Sequence, residues 1–156
     1  MNIMKRYWIA VLGGLIFLSF AFPGWPCPFE LPKVRALVKG HELSIELATT
    51  PETRSCGLSN RTSLQRNQGM LFVYAEPEIL TFWMKDTHIP LSIAFIDADG
   101  RIVSVQKMIP LRITVDHISP VPAKYALEVN QGWFEENGVA IGDVLIFELT
   151  PALEIR

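Results

Sequence analysis

Short period-two runs of apolar residues leave this chain few folds to choose from. Leu43, Ile45 and Leu47 alternate with Glu42, Ser44 and Glu46. Successive side chains of a strand point to opposite faces, so this spacing buries one face and wets the other. Tyr125, Leu127 and Val129 repeat the pattern within the run Tyr125 to Asn130. Leu91 to Asp97 and Arg101 to Lys107 flank Asp97-Ala98-Asp99-Gly100, a hairpin turn with glycine placed for positive φ. Lys33 to Lys39 pairs naturally with Glu42 to Ala48 across the turn Lys39-Gly40-His41, and Met70 to Tyr74, Leu80 to Lys85 and Val144 to Leu149 read as further strands. Thr50-Pro51-Glu52-Thr53 opens a helix with Thr50 as N-cap and proline at its first position, and Gly57 stops it. Gly132 to Asn137 reads as a second short helix closed by Gly138. The expected fold is mainly β with two short helices (α+β), arranged as a small closed barrel or sandwich-like sheet.

The N-terminus does not belong to this pattern. Met1 to Arg6 carries Lys5 and Arg6 and no acid, Tyr7 to Phe22 is apolar or small, and Ser19-Phe20-Ala21 offers small residues before a cut after Ala21. A positive start, a short apolar core and a small-x-small exit make up a secretory signal. The apolar run of 16 residues falls short of the roughly 20 that span a bilayer comfortably. Cleavage is therefore the expectation, with an uncleaved anchor as the alternative and the membrane touched in no other way. Residues 1–21 are thus read as signal, 22–32 as a proline-rich lead-in holding Pro23, Pro26, Pro28 and Pro32, and 33–150 as one domain. The expected location is periplasmic or extracellular.

The charge balance argues against nucleic acid as a partner. The chain has 14 Lys and Arg against 16 Asp and Glu. Removing Lys5 and Arg6 leaves 12 against 16, a net charge of −4 after cleavage. Nucleic-acid binders carry a basic patch, and none is visible.

Cys27 and Cys56 are the only cysteines. Outside the cytoplasm two thiols persist as a disulfide, which would tie the start of the mature chain to the Thr53–Asn60 segment. The bridge is the expectation, and two unpaired thiols remain the alternative, because two cysteines display no spacing pattern.

The densest chemistry lies in Trp83-Met84-Lys85-Asp86-Thr87-His88. As a ligand site, Trp83 stacks on a flat molecule while Lys85, Asp86 and His88 hydrogen-bond to it. As plain structure, Phe82, Trp83 and Met84 alternate on a strand and Asp86 to Pro90 is a turn. Arg54 and Arg61 flank Gly57 and are candidates to grip a carboxylate, whether of Glu128, of Asp143 or of an anionic ligand. No metal site and no cofactor is expected. His41, His88 and His117 lie far apart, and Asp97 and Asp99 lack the glutamate that a calcium loop needs at its twelfth position, where Met108 stands. Neither a nucleophile elbow nor a phosphate loop is present.

The order of several of these signals resembles an uncharacterised family, domain of unknown function 192 (DUF192). The resemblance is carried by Arg54-x-x-Gly57-Leu58, Arg61, Leu64 and Gly69-Met70-Leu71-Phe72. It continues in Phe82-Trp83-Met84-Lys85, Thr87, Ile89-Pro90-Leu91, Phe95-Ile96-Asp97, Gly100 and Ile102, and ends in Leu127-Glu128-Val129, Gly132, Gly138 and Gly142-Asp143. It spans roughly Lys33 to Leu149. The resemblance implies a compact, mostly β domain, often exported, and transfers no catalytic residue. Asp86 stands where the family usually has Asn, Ser92 where it often has Asp, and Ser59 where it often has Met. If an acid at position 92 were required, this chain would lack it unless Asp86 substitutes.

Three roles fit these signals. The preferred one is an exported binding or accessory module of the cell envelope, whose partner is a small molecule, a glycan or an envelope protein. The second is an envelope enzyme acting on a glycan or peptide through Asp86, His88 and Lys85. The third is a structural or chaperone-like partner protein working through an exposed apolar patch.

Overall fold

A computed structural model describes residues 30–149 and 153–156. Among the described residues the order of elements is β1 (Lys33–Val38), β2 (His41–Ala48), α1 (Pro51–Cys56), β3 (Gln68–Glu78), β4 (Thr81–Phe82) and β5 (Leu91–Ile96), followed by β6 (Ile102–Met108), β7 (His117–Ile118), β8 (Ala123–Asn130), α2 (Trp133–Glu136) and β9 (Leu145–Phe147). The chain is mainly β with two short helices, as its alternation predicts. The expected signal and most of the proline-rich lead-in lie outside the described residues. Among the described residues no helix is long and apolar enough to cross a membrane.

Seven strands form one sheet in the order β6-β5-β8-β3-β2-β1-β9. Its pairs are antiparallel except β2 and β3, which run parallel with Leu47 opposite Leu71. That pair is joined through α1, so the short helix serves as a crossover connection. The sheet curls until its edges meet at one end, where Arg101 and Val144 form an isolated bridge. The Leu145 amide donates to the Gly100 carbonyl at 2.8 Å beside it. The architecture is therefore a small, incompletely closed barrel.

The sheet is buried on both faces. On the enclosed face Leu43, Ile45, Leu47, Leu71, Leu127 and Val129 pack with Trp133 and Phe134 of α2. On the other, Met70, Phe72, Ile93, Phe95 and Ala126 pack under Leu58, Leu80, Phe82 and Met84. Strand β5 is buried at all of its residues because it serves both cores. Phe82 stands edge-on to Phe72 and Phe95, with ring centroids 4.8 and 5.9 Å away. Aromatic pairs prefer this geometry.

Local chemistry explains most boundaries. Thr50 and Thr53 form a reciprocal capping box at the start of α1, and Gly57 ends the helix at φ 51°. The Asp97 carboxylate accepts from the Asp99 and Arg101 amides, each at 2.9 Å, so a tight turn accounts for the acids read above. Two expectations need correction. Leu80 to Lys85 is not a full strand: only Thr81 and Phe82 pair, because Lys85 and Asp86 turn the chain away. Its partner β7 had no sequence signal. His117 donates through Nδ1 to Gln106 Oε1 at 3.1 Å, while Gln106 Nε2 donates to the Ile118 carbonyl at 2.9 Å. These bonds fix the two-stranded sheet on β6.

Candidate functional site

A cavity of about 340 Å³ opens where α1, the end of β3 and the segment after β4 converge on the central strand β8. Arg54, Ser55 and Cys56 line it from α1, and Leu58 and Ser59 from the following turn. Phe72 and Tyr74 form its β3 wall, and Thr81, Phe82, Trp83, Lys85 and Thr87 line the opposite side. Glu128 of β8 also lines it.

Glu128 is the least ordinary group here. It lies opposite Met70 of β3 and Ile93 of β5 in the middle of the sheet and is only 5% exposed. Among the described residues no hydrogen bond or ion pair to its carboxyl is made. Burial without a partner disfavours the charged form. The Glu128 carboxyl is accordingly pushed up to about 8 by desolvation. The shift favours the protonated acid, the form able to donate a proton or a hydrogen bond into the cavity.

Arg54 is held by the fold. Its Nη1 donates to the carbonyls of Thr49 and Val73, both at 2.9 Å, and its guanidinium carbon lies 4.4 Å from the centre of the Tyr74 ring. The Tyr74 hydroxyl is pushed upward, chiefly by burial, with Arg54 opposing and Glu78 and Glu128 adding to the shift. Tyr74 is therefore a neutral phenol across the physiological range.

Trp83 is 60% exposed, whereas its neighbours Phe82 and Met84 are buried. Alternation thus presents the indole at the cavity rim while anchoring its strand in the core. The Lys85 carbonyl accepts from Ser59 Oγ at 3.3 Å and Thr87 Oγ1 at 3.1 Å, which binds the two rim segments together.

The other candidates lie elsewhere. Asp86 does not line the cavity. It sits at φ 53°, and its carbonyl accepts from the Asn60 amide at 2.7 Å. Left-handed backbone is tolerated best by Asn and Asp after Gly, which explains both the Asn of the family pattern and the Asp here. His88 is exposed and also outside the lining. Arg61 is engaged with Glu46, Nη1 to Oε1 at 2.9 Å and Nη2 to Oε2. Ser92, at the position of the family's frequent Asp, is buried, and its hydroxyl accepts from the Gly132 amide at 3.1 Å. That bond fastens the start of α2.

Cys56 is not a free thiol, and Cys27, its expected partner, lies outside the described residues. Among the described residues no cluster of His, Cys, Asp and Glu is arranged to hold a metal ion.

The fold and cavity define a class: a small mixed-sheet barrel with a covered outer face and a cavity over its central strand. The chain belongs to the DUF192 family (uncharacterized ACR), whose profile matches residues 34–147. Among solved structures it is similar to a candidate transcription regulator from Sinorhizobium meliloti 1021, with 34% identity, a TM-score of 0.73, and coverage of 76% of this chain and 96% of that one. It is also similar to a protein of unknown function from Novosphingobium aromaticivorans DSM 12444, with 32% identity, a TM-score of 0.72, and coverage of 76% and 89%. No curated protein matches the chain.

Proposed function

We propose that this chain is an exported binding module of the cell envelope that takes a small ligand in the cavity between α1 and Trp83. The observation that carries this reading is the meeting of a largely buried acid that lines the cavity, Glu128, with the exposed indole of Trp83 in one concavity. Ligand sites combine apolar walls with a few convergent polar groups, and perturbed acids concentrate there. Export rests on the N-terminal pattern Lys5-Arg6, Tyr7 to Phe22 and Ser19-Phe20-Ala21.

The test is a thermal-shift panel of envelope glycan fragments and short peptides on the full chain and its Trp83→Ala variant. A ligand that binds only the folded state raises the melting temperature by mass action. The expected result is a shift for one class that the variant loses. A panel with no shift in either protein sinks the reading.

A second reading, an enzyme acting on a glycan or peptide, is favoured by the same Glu128, since a carboxyl protonated at neutral pH suits general-acid work. Turnover of the bound class, lost in Glu128→Gln, separates the two. The Sinorhizobium protein is described only as a candidate transcription regulator. Here the acids outnumber Lys and Arg, 16 to 14, and nothing in that balance supports a DNA-binding face.

A further inference from the structure

The geometry points to a carboxylate as the group this cavity holds, with Lys85 and Arg54 supplying the positive charge and the Glu128 carboxyl meeting it as hydrogen-bond donor. The inference deepens the binding-module reading and rests on it.

The charges lining the cavity carry the argument. Arg54 and Lys85 are its cations, and Glu128 is the one acid among its lining residues. Two cations against one acid give the lining a net positive charge whatever the state of Glu128, and burial pushes that acid toward its uncharged form. Arg54 uses Nη1 for the Thr49 and Val73 carbonyls, and a guanidinium has further N–H donors to offer. Its position is set by those bonds and by the Tyr74 ring, so little ordering is left for a ligand to impose. A buried carboxyl donating to a carboxylate makes a short, charge-assisted bond of the stronger kind. A cationic ligand would meet two like charges instead. Phe72, Phe82 and Trp83 suit the apolar or ring portion attached to the acid.

The titratable and charged groups near Glu128 are few. Arg54 faces the cavity from α1, Tyr74 from β3 and Lys85 from the segment after β4. Glu78 acts on Tyr74 from the far end of β3. Once Glu128 ionises, it places a negative charge against the bound anion and loses its donor. Affinity for a carboxylate therefore falls as the pH rises through the range in which Glu128 titrates.

The experiment is calorimetric titration of the full chain with two matched pairs of probes: glucuronate and glucose, and an acetylated dialanine and its C-terminal amide. Each is measured at roughly pH 6 and roughly pH 9, either side of Glu128 ionisation. The expected result is that the acid of one pair binds about tenfold or more tightly than its neutral twin, a gap of about 1.4 kcal/mol. The winning pair tells a sugar acid from a peptide C-terminus. Affinity falls at the higher pH in the wild type but not in Glu128→Gln, which keeps a donor and cannot ionise. Lys85→Gln, a change at an exposed residue, weakens the acid more than its neutral twin and so narrows the gap between them.

Neutral twins that bind as well as the acids overturn the inference while leaving the binding module standing. Acids that bind with the same pH dependence in Glu128→Gln also overturn it. So does the absence of binding by all four probes, and the wider thermal-shift panel then judges the binding module separately.

Discussion

The Arg54 guanidinium carbon lies 4.4 Å from the centre of the Tyr74 ring, and the same side chain bonds the carbonyls of Thr49 and Val73. One residue of α1 thereby ties the end of β2 to β3 across the parallel crossover. Thr49 and Val73 are both buried; truncation takes the side-chain donor from the Val73 carbonyl and leaves the Thr49 carbonyl only the Arg156 amide, at 3.1 Å. Arg54→Ala is expected to cost about 1–3 kcal/mol, since a buried polar group left unpaired carries its full desolvation penalty. Arg54→Lys keeps the charge but not the fork and should recover only part of the loss. Denaturant midpoints of the three proteins check this.

Arg61 and Glu46 make a second two-pronged contact, between the turn after α1 and β2. Glu46 is held below the usual carboxylate range, first by the Arg61 hydrogen bond and then by the charges of Arg61 and Lys33, against an opposing push from burial. Its folded value lies below its unfolded one, so the stabilisation is present above the unfolded value and is lost as pH falls through the folded one. Arg61→Ala should cost about 1–3 kcal/mol at neutral pH. The gap between variant and wild-type melting temperatures should close in acid. A gap that persists there would mean that Arg61 acts by packing.

Glu128 has the opposite sign. Its folded value of about 8 stands above the ordinary 4.5, so the folded state binds the proton more tightly. The associated stability is complete below about 4.5 and is lost as pH rises to about 8, at a limiting slope of about 1.4 kcal/mol per pH unit. Wild-type melting temperature should drop across that window relative to Glu128→Gln, with the two curves converging at low pH. Parallel curves would show that the carboxyl is solvated.

Gly100 sits at φ 80° in the β5–β6 turn, and a Cβ there would lie 2.7 Å from the Leu145 carbonyl. Gly40 has a similar φ of 83° with nothing within 4 Å. Gly40→Ala should cost only the backbone strain of about 1–2 kcal/mol. Gly100→Ala should cost more, because it also forces the barrel edges apart. Equal midpoint shifts in the two variants would disprove a tight seam.

The strands and turns were legible because period two and turn chemistry are local. Thr50, Gly57 and Gly100 each act within a few residues of themselves. While its alternation with Phe82 and Met84 was the mark of plain structure, Trp83 was legible as a candidate through the density of chemistry in Trp83 to His88. Glu128 was not, for a specific reason. On β8 it alternates with Leu127 and Val129, so its face reads as wet. That face is in fact roofed by β4 and Met84, which a single strand does not reveal. A signal did exist in the neighbours: Met70 to Val73 is apolar on both faces and Leu91 to Ile96 is so but for Ser92, the mark of strands covered twice. An acid on the strand between them is then expected to be buried. Asp86 misled in the other direction, since its residue type answers to a left-handed backbone rather than to a ligand.

The pairing of β1 with β9 sets Ala36 against Phe147 and Val38 against Leu145. The first strand of the domain therefore waits for the last. Until Leu145 to Phe147 leave the ribosome, β1 has one naked edge and the seam at Arg101 and Val144 stays open. A chain built this way matures late, because its sheet closes only with the last strand to be made.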